Sequence, residues 1–209
     1  MKQLIPALAL AAAAPLAFSP ASALAAVPAT FTATGTALVH ANGNTPETRT
    51  PIKVFYLNGQ MRLEMKTPGN GDSVILVQKG KPTLTLMDLQ QKLAFTVNPS
   101  AMGADADQIP VQQLTDLTGW KSLLQKQGKR LPGSEVKAGQ TCSIWQTTQG
   151  KTTTKVWFAD ALELPMLLES SAGGKPQLTL TIQSITTKGS VPASMFKVPG
   201  DFTQADLQN

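Results

Sequence analysis

The stretch KVFYLNGQMRLEM, Lys53 to Met65, has Asn58-Gly59 at its centre and alternating hydrophobic residues on both sides. A two-residue Asn-Gly loop suits the twist of two flanking antiparallel strands. With these as the loop residues, Leu57 lies opposite Gln60, Tyr56 opposite Met61 and Phe55 opposite Arg62. Val54 then faces Leu63, Lys53 faces Glu64 and Ile52 faces Met65. One side of the hairpin carries Ile52, Val54, Tyr56, Met61, Leu63 and Met65. The other is expected to carry a Lys53–Glu64 ion pair and a Phe55–Arg62 stack, each worth about 0.2–1 kcal/mol. The apolar side is either ordinary core or half of a pocket, and the rest of the chain bears on which.

Period two dominates beyond this hairpin. In QLTLTIQ, Leu178, Leu180 and Ile182 alternate with Thr179, Thr181 and Gln183, as in a half-buried antiparallel strand. Further strands are expected at Phe31–Val39, Val74–Lys79, Thr83–Met87, Leu93–Val97, Thr141–Thr147, Thr153–Phe158 and Met166–Ser170. Gly- and Pro-bearing turns separate them. From Gln108 to Lys126 the apolar spacing changes to that of a helix, with Leu114, Leu117 and Leu124 on one side. Pro110 suits its first turn and Gly128 its end, and Gly119 marks a point where it divides in two. The fold class expected is therefore mainly β (α+β): a strongly curved antiparallel sheet with a helical segment on its concave face. Pro99 to Pro110 reads as a loop.

The chain has 209 residues, and its start reads as a signal peptide. Lys2 gives a positive n-region, Leu4 to Phe18 an apolar stretch, and Ala23-Leu24-Ala25 a cleavage site. Residues 1–25 are thus expected to be removed, leaving 26–209 as one domain that is exported, most simply to a bacterial periplasm. No later apolar run reaches membrane-spanning length. Formal charge is +5, and the basic residues are scattered, so nucleic acid is a poor partner. Cys142, the single cysteine, excludes an internal disulfide and reads as a buried thiol.

Several motifs, in order, have a familiar look. NGQMRLEM (58–65) resembles a strand start of LolA-like periplasmic carriers, and LTLMDLQQKLAFTV (84–97) resembles their next hairpin. TTTKVWFADALELPMLLES (152–170) and VPASMFKVPGDF (191–202) are similar to an uncharacterised family of exported bacterial domains. The resemblance implies a half-barrel: a curved sheet around a hydrophobic cavity, lidded by helices, that holds acyl chains in the carriers. It also implies that Arg62 helps hold the lid, whereas the hairpin register sets Arg62 on the face opposite Met61 and Leu63.

No catalytic constellation stands out. His40 is the only histidine and has no neighbours at zinc-ligand spacing. There is no Gly-x-Ser-x-Gly elbow, phosphate loop or dinucleotide fingerprint. Met61 and Met65 would lie about 13 Å apart on a strand, too far for one soft-metal site. No catalytic residue, metal or cofactor is therefore assigned. The expected ligand-binding residues are Ile52, Val54, Tyr56, Met61, Arg62, Leu63, Met65, Leu84, Leu86, Phe95, Leu178 and Leu180 on the sheet, with Leu114, Leu117 and Leu124 on the lid. The expected ligand is a lipid or lipidated protein, and the protein a monomer that does not span the membrane. A rival reading is a non-enzymatic envelope sensor or interaction module recognising a protein partner, and a filled core without a cavity stays open beside both.

Overall fold

The computed structural model describes residues 26–43, 46–67, 71–78, 80–81, 83–98 and 119–207. The hairpin forms in the expected register, between β2 (Thr48–Leu57) and β3 (Gln60–Thr67). Asn58 and Gly59 turn with φ of 50° and 91°, the left-handed values that a two-residue hairpin loop requires. Around it lie β1 (Thr30–Val39), β4 (Gly71–Val77), β5 (Leu84–Asp88) and β6 (Leu93–Val97). The helix α1 (Trp120–Gln127) follows, then β7 (Lys129–Lys137), β8 (Gln140–Gln149), β9 (Thr152–Ala159), β10 (Leu164–Ala172), β11 (Lys175–Thr186) and β12 (Thr203–Leu207). The strands make one curved, open sheet in the order β12-β6-β5-β4-β3-β2-β1-β11-β10-β9-β8-β7. Bulges at Thr34/Gly35, Pro165/Leu167 and Ser170/Ser171 interrupt its ladders, and each such irregularity bends and twists a strand locally.

Three expectations are corrected. The sheet is mixed rather than wholly antiparallel, because β12 pairs parallel to β6. Its five residues, TQADL, have no alternation to announce a strand; β12 exists because the chain after β11 crosses one face and reaches the far edge. β7 was also not expected: KRLPGSEVK has Pro132 and Gly133 at its middle, residues that disfavour a strand interior. The structure absorbs them as an irregularity between Arg130 and Ser134 on an edge strand, where a proline's missing N–H faces no neighbour. On the outer side of the hairpin, Lys53 and Glu64 are cross-strand partners, yet their side chains pair elsewhere. Glu64 Oε1 accepts from Arg62 Nε at 2.7 Å, and Lys53 Nζ lies 4.7 Å above the Phe55 ring. The guanidinium's fork lets Arg62 satisfy Glu64 and, through Nη1, the Met195 carbonyl at 3.0 Å.

The second face is covered by the segment after β11. Val191 and Phe196, the latter in a 3₁₀ turn at Ala193–Phe196, pack on Phe55. Val198 and Phe202 pack around Val74, Leu76, Met87 and Ala94. Lys92 and Asp201 pair at 2.8 Å just before β12 joins the sheet.

The expected helix Gln108–Lys126 lies largely outside the described residues; Trp120–Gln127 is what is described of it. Gly119 is its N-cap residue and offers no side-chain cap, and the Gly128 N–H bonds to the Leu124 carbonyl. A helix of this length is not stable alone; Trp120 and Leu124, 2% and 1% exposed, attach it to the sheet.

Candidate functional site: one continuous apolar face

Residues directly opposite in a ladder share a face, so pairing can be followed across the sheet from the opening hairpin. Val54 pairs with Leu63, Leu63 with Ile75, Ile75 with Leu86 and Leu86 with Phe95. In the other direction, Ile52 pairs with Gly35, Gly35 with Ile182, and Ala37 with Leu180. Leu180 then pairs with Leu168 and Leu168 with Val156. A single face thus gathers Ile52, Val54, Tyr56, Met61, Leu63, Met65, Leu84, Leu86, Phe95, Leu178 and Leu180. Helix α1 packs on that same face, since Trp120 and Leu124 meet Val156, Phe158, Leu168 and Leu178. Leu180 touches both this cluster and the one around the hairpin, so the two are continuous.

Of the residues expected at the site, Arg62 stands apart. It points to the opposite face, toward Glu64 and the C-terminal segment. Leu114 and Leu117 lie outside the described residues. Met65, Leu86, Phe95 and Leu180 are only partly buried, which leaves apolar surface along the hairpin end of the face.

Within the face is a cavity of about 60 Å³. Its described lining is Phe31, Ala33, Ile52, Val54, Met61, Leu63, Leu164, Pro165, Met166, Leu180, Ile182 and Ile185. None carries a charge or a side-chain hydrogen-bonding group, so the space favours hydrocarbon over water. Phe31 stacks on Tyr56 beside it, with ring centroids 5.0 Å apart. The space is well below the roughly 300–1,000 Å³ of typical ligand pockets. A second, more open groove of about 280 Å³ lies at the far ends of β2, β3 and β4, where Lys53, Glu64, Lys66 and Asp72 join Ile52 and Met65.

Sequence reading missed seven of the twelve described lining residues. Phe31, Ala33 and Ile182 sit on strands it expected, with the right alternation, and were recoverable. Met166 and Ile185 were not, because each follows an interruption of a ladder, where counting by twos fails.

Polar groups cluster at the α1 end. Trp145 Nε1 donates to Ser143 Oγ at 2.9 Å, and Ser143 Oγ donates to Asp160 Oδ1 at 3.0 Å. The next turn ends in Glu163, at φ 52°; its carboxylate accepts from Lys121 Nζ at 2.5 Å. Trp120 Nε1 is buried with no acceptor among the described residues, and an unpaired buried donor costs about 1–3 kcal/mol. Cys142 is fully buried, and burial pushes its thiol pKa up. His40 Nε2 lies 3.0 Å from Thr179 Oγ1 and Nδ1 3.7 Å from Glu47. Among the described residues, no three of His, Cys, Asp and Glu converge as a metal site would need, and no helix is long and apolar enough to cross a membrane.

No family model matches the chain, and neither does the sequence of any curated protein. Solved structures do. An uncharacterised conserved protein from Thermus thermophilus superposes with a TM-score of 0.57 at 11% identity, over 86% of this chain and 91% of that one. The two share a fold. Looser likenesses are to MucB (TM-score 0.48, 12% identity, 82% of this chain and 58% of that one) and to a LolA superfamily protein from Nitrosomonas europaea (0.47, 10%, 83% and 92%).

Proposed function

We propose that this chain is an exported, single-domain, non-catalytic binding or carrier protein for a hydrophobic ligand, a lipid or an acyl chain, with residues 26–209 as the domain and the periplasm as its compartment. The observation that supports this reading is the cavity lined wholly by apolar side chains on one continuous face, next to half-buried Met65, Leu86 and Phe95. Burying a chain of about 16 carbons there would gain roughly 12 kcal/mol gross at about 0.8 per CH₂, before ordering costs. A space of about 60 Å³ accepts only a few methylenes, so uptake requires the apolar face to open. The curved sheet would present this face as its concave side, with α1 over one end.

Native mass spectrometry of protein purified from the periplasm, with solvent extraction, tests the proposal. Co-purifying lipid, or saturable uptake of a fluorescent fatty acid, is expected. Repeated recovery of lipid-free protein that takes up no fatty-acid probe overturns it. The second reading is a module recognising a protein partner through the sheet edge. It draws on β7, an edge strand with Val136 67% exposed; crosslinking at Val136 that captures one defined envelope protein would favour it.

A further inference from the structure

Among the described strands β7 stands last in the sheet, with β8 on one side only. Ala138 and Gly139 close the β7–β8 hairpin as a two-residue loop, at φ 48° and 75°, and Lys137 pairs with Gln140 across it. In such a hairpin the pair flanking the loop exchanges both backbone hydrogen bonds, and the bonding then alternates along the ladder. Glu135 therefore bonds Cys142, whereas Val136, opposite Thr141, and Ser134, opposite Ser143, turn their N–H and C=O groups outward. The Val136 side chain, 67% exposed, stands on the same face as Trp145 and α1. Edge strands are commonly guarded by Pro, Lys or an irregularity. Here Lys129, Pro132 and the break between Arg130 and Ser134 guard the first half of β7, and Ser134 to Lys137 stays a regular, open ladder. The surrounding charges select what can pair with it. β7 carries Lys129, Arg130 and Lys137 against the single carboxylate of Glu135, which Lys137 Nζ already holds at 2.8 Å. Lys126, in the last turn of α1, adds a cation beside Lys129 and Arg130. Lys126, Lys129 and Arg130 are all exposed, and among the described residues none of them pairs with a carboxylate.

We propose that Ser134–Lys137 is a docking edge for an extended acidic segment of another protein, which adds antiparallel to β7. The outward groups of Val136 and Ser134 supply the backbone hydrogen bonds. An apolar side chain of the incoming strand covers Val136. Acidic residues that follow it in that strand reach Arg130, Lys129 and Lys126. A second copy of this chain is a poor occupant, because its own β7 brings the same excess of cations against this one. The docking edge rests on the protein-partner reading above, to which it gives a partner class, and leaves the cavity untouched.

Fluorescence anisotropy with a labelled peptide, alternating Thr and Val and ending in a run of Asp, tests the docking edge. Saturable binding is expected, weakened by raised salt and absent for the same peptide ending in Lys. Amide exchange resolved by NMR gives the direct reading. In the complex, protection is expected to rise at Ser134 and Val136 and to stay unchanged at Glu135 and Lys137, which already bond β8. Val136→Pro removes an outward N–H that the β7–β8 ladder does not use, and is expected to abolish binding with an unchanged circular dichroism spectrum. Lys129→Glu combined with Arg130→Glu is expected to weaken binding roughly tenfold, through the loss of two charge pairs. The exchange pattern and this charge-reversed protein decide the matter even where Val136→Pro fails to fold. Absence of binding by the Asp peptide, equal binding of the Lys peptide, or protection rising at all four amides alike overturns the docking edge. A dimer in sedimentation velocity that Val136→Pro dissolves makes a second copy the occupant, and binding of phosphatidylglycerol vesicles in place of the Asp peptide makes it a membrane surface; either overturns the proposal. Crosslinking at Val136 to one defined envelope protein, with no affinity for the Asp peptide, overturns the acidic class and leaves the protein-partner reading standing.

Discussion

Gly35 shows how much one residue can settle. A Cβ built there would overlap the Thr181 carbonyl oxygen, far inside van der Waals contact, because β11 presses on β1 where their register shifts. The blocking atom is backbone, so relief requires moving a strand. Gly35→Ala is expected to lower stability by about 1–3 kcal/mol, the range for overpacking, as a reduced urea midpoint with an unchanged m-value. Cys142 gives a second residue-scale test. Burial raises its thiol pKa above the ordinary value, so the folded protein keeps a proton that the unfolded chain releases. That contribution to stability is fully present below the ordinary thiol range and is lost as pH rises through the folded value. Stability measured by urea should therefore decline across alkaline pH, less steeply in Cys142→Ser. A thiol reagent at mildly alkaline pH should modify the native protein far more slowly than the unfolded one. Residue type and alternation make a buried Cys142 legible in the sequence. The close approach at Gly35 is not, because the atom it avoids belongs to Thr181, on a strand distant in the chain.

Among the elements, hairpins were legible and edges were not. β2–β3 follows from Asn58-Gly59 and two alternating runs, and its six cross-strand pairs match the register read from the turn. Its charged side did not, because Arg62 found Glu64 and a carbonyl from the C-terminal segment, a partner 133 residues away. That segment acts as a strap over the second face. Phe196 is 1% exposed against Phe55 and Val191. Phe196→Ala is expected to cost about 3–5 kcal/mol if the strap unfolds with the rest. If the strap instead detaches alone, global stability changes less and limited proteolysis cuts between Thr186 and Pro192. Either outcome shows in a paired denaturation and proteolysis experiment, and intact stability with no new cleavage would sink the strap's structural role. β12 depends on this strap for its place, which explains why its own five residues gave no sign of a strand.

For the molecule as a whole, the decisive property is continuity. The ladders carry one apolar face from Phe95 near one edge to Val156 toward the other, and α1 rests on that face. The cavity is part of it, so filling the cavity should affect binding more than folding. Ala33→Val adds two methyl groups to a residue on the wall of the space of about 60 Å³. Stability is expected to stay within about 1 kcal/mol of wild type, as for a tolerated change of core volume, while uptake of a fatty-acid probe falls. A large loss of stability would mean that no usable space exists beside Ala33. By itself the sequence determined which residues are apolar in alternation, where the hairpin turns, and that one side of the central strands is greasy, since these follow from local period and turn chemistry. The tertiary structure alone decided that the apolar sides join into one face, that Arg62 finds its carbonyl partner in the distant C-terminal segment, and that a parallel strand closes the far edge. Those outcomes depend on bulges and on contacts between distant segments, where alternation no longer tells which way a side chain points.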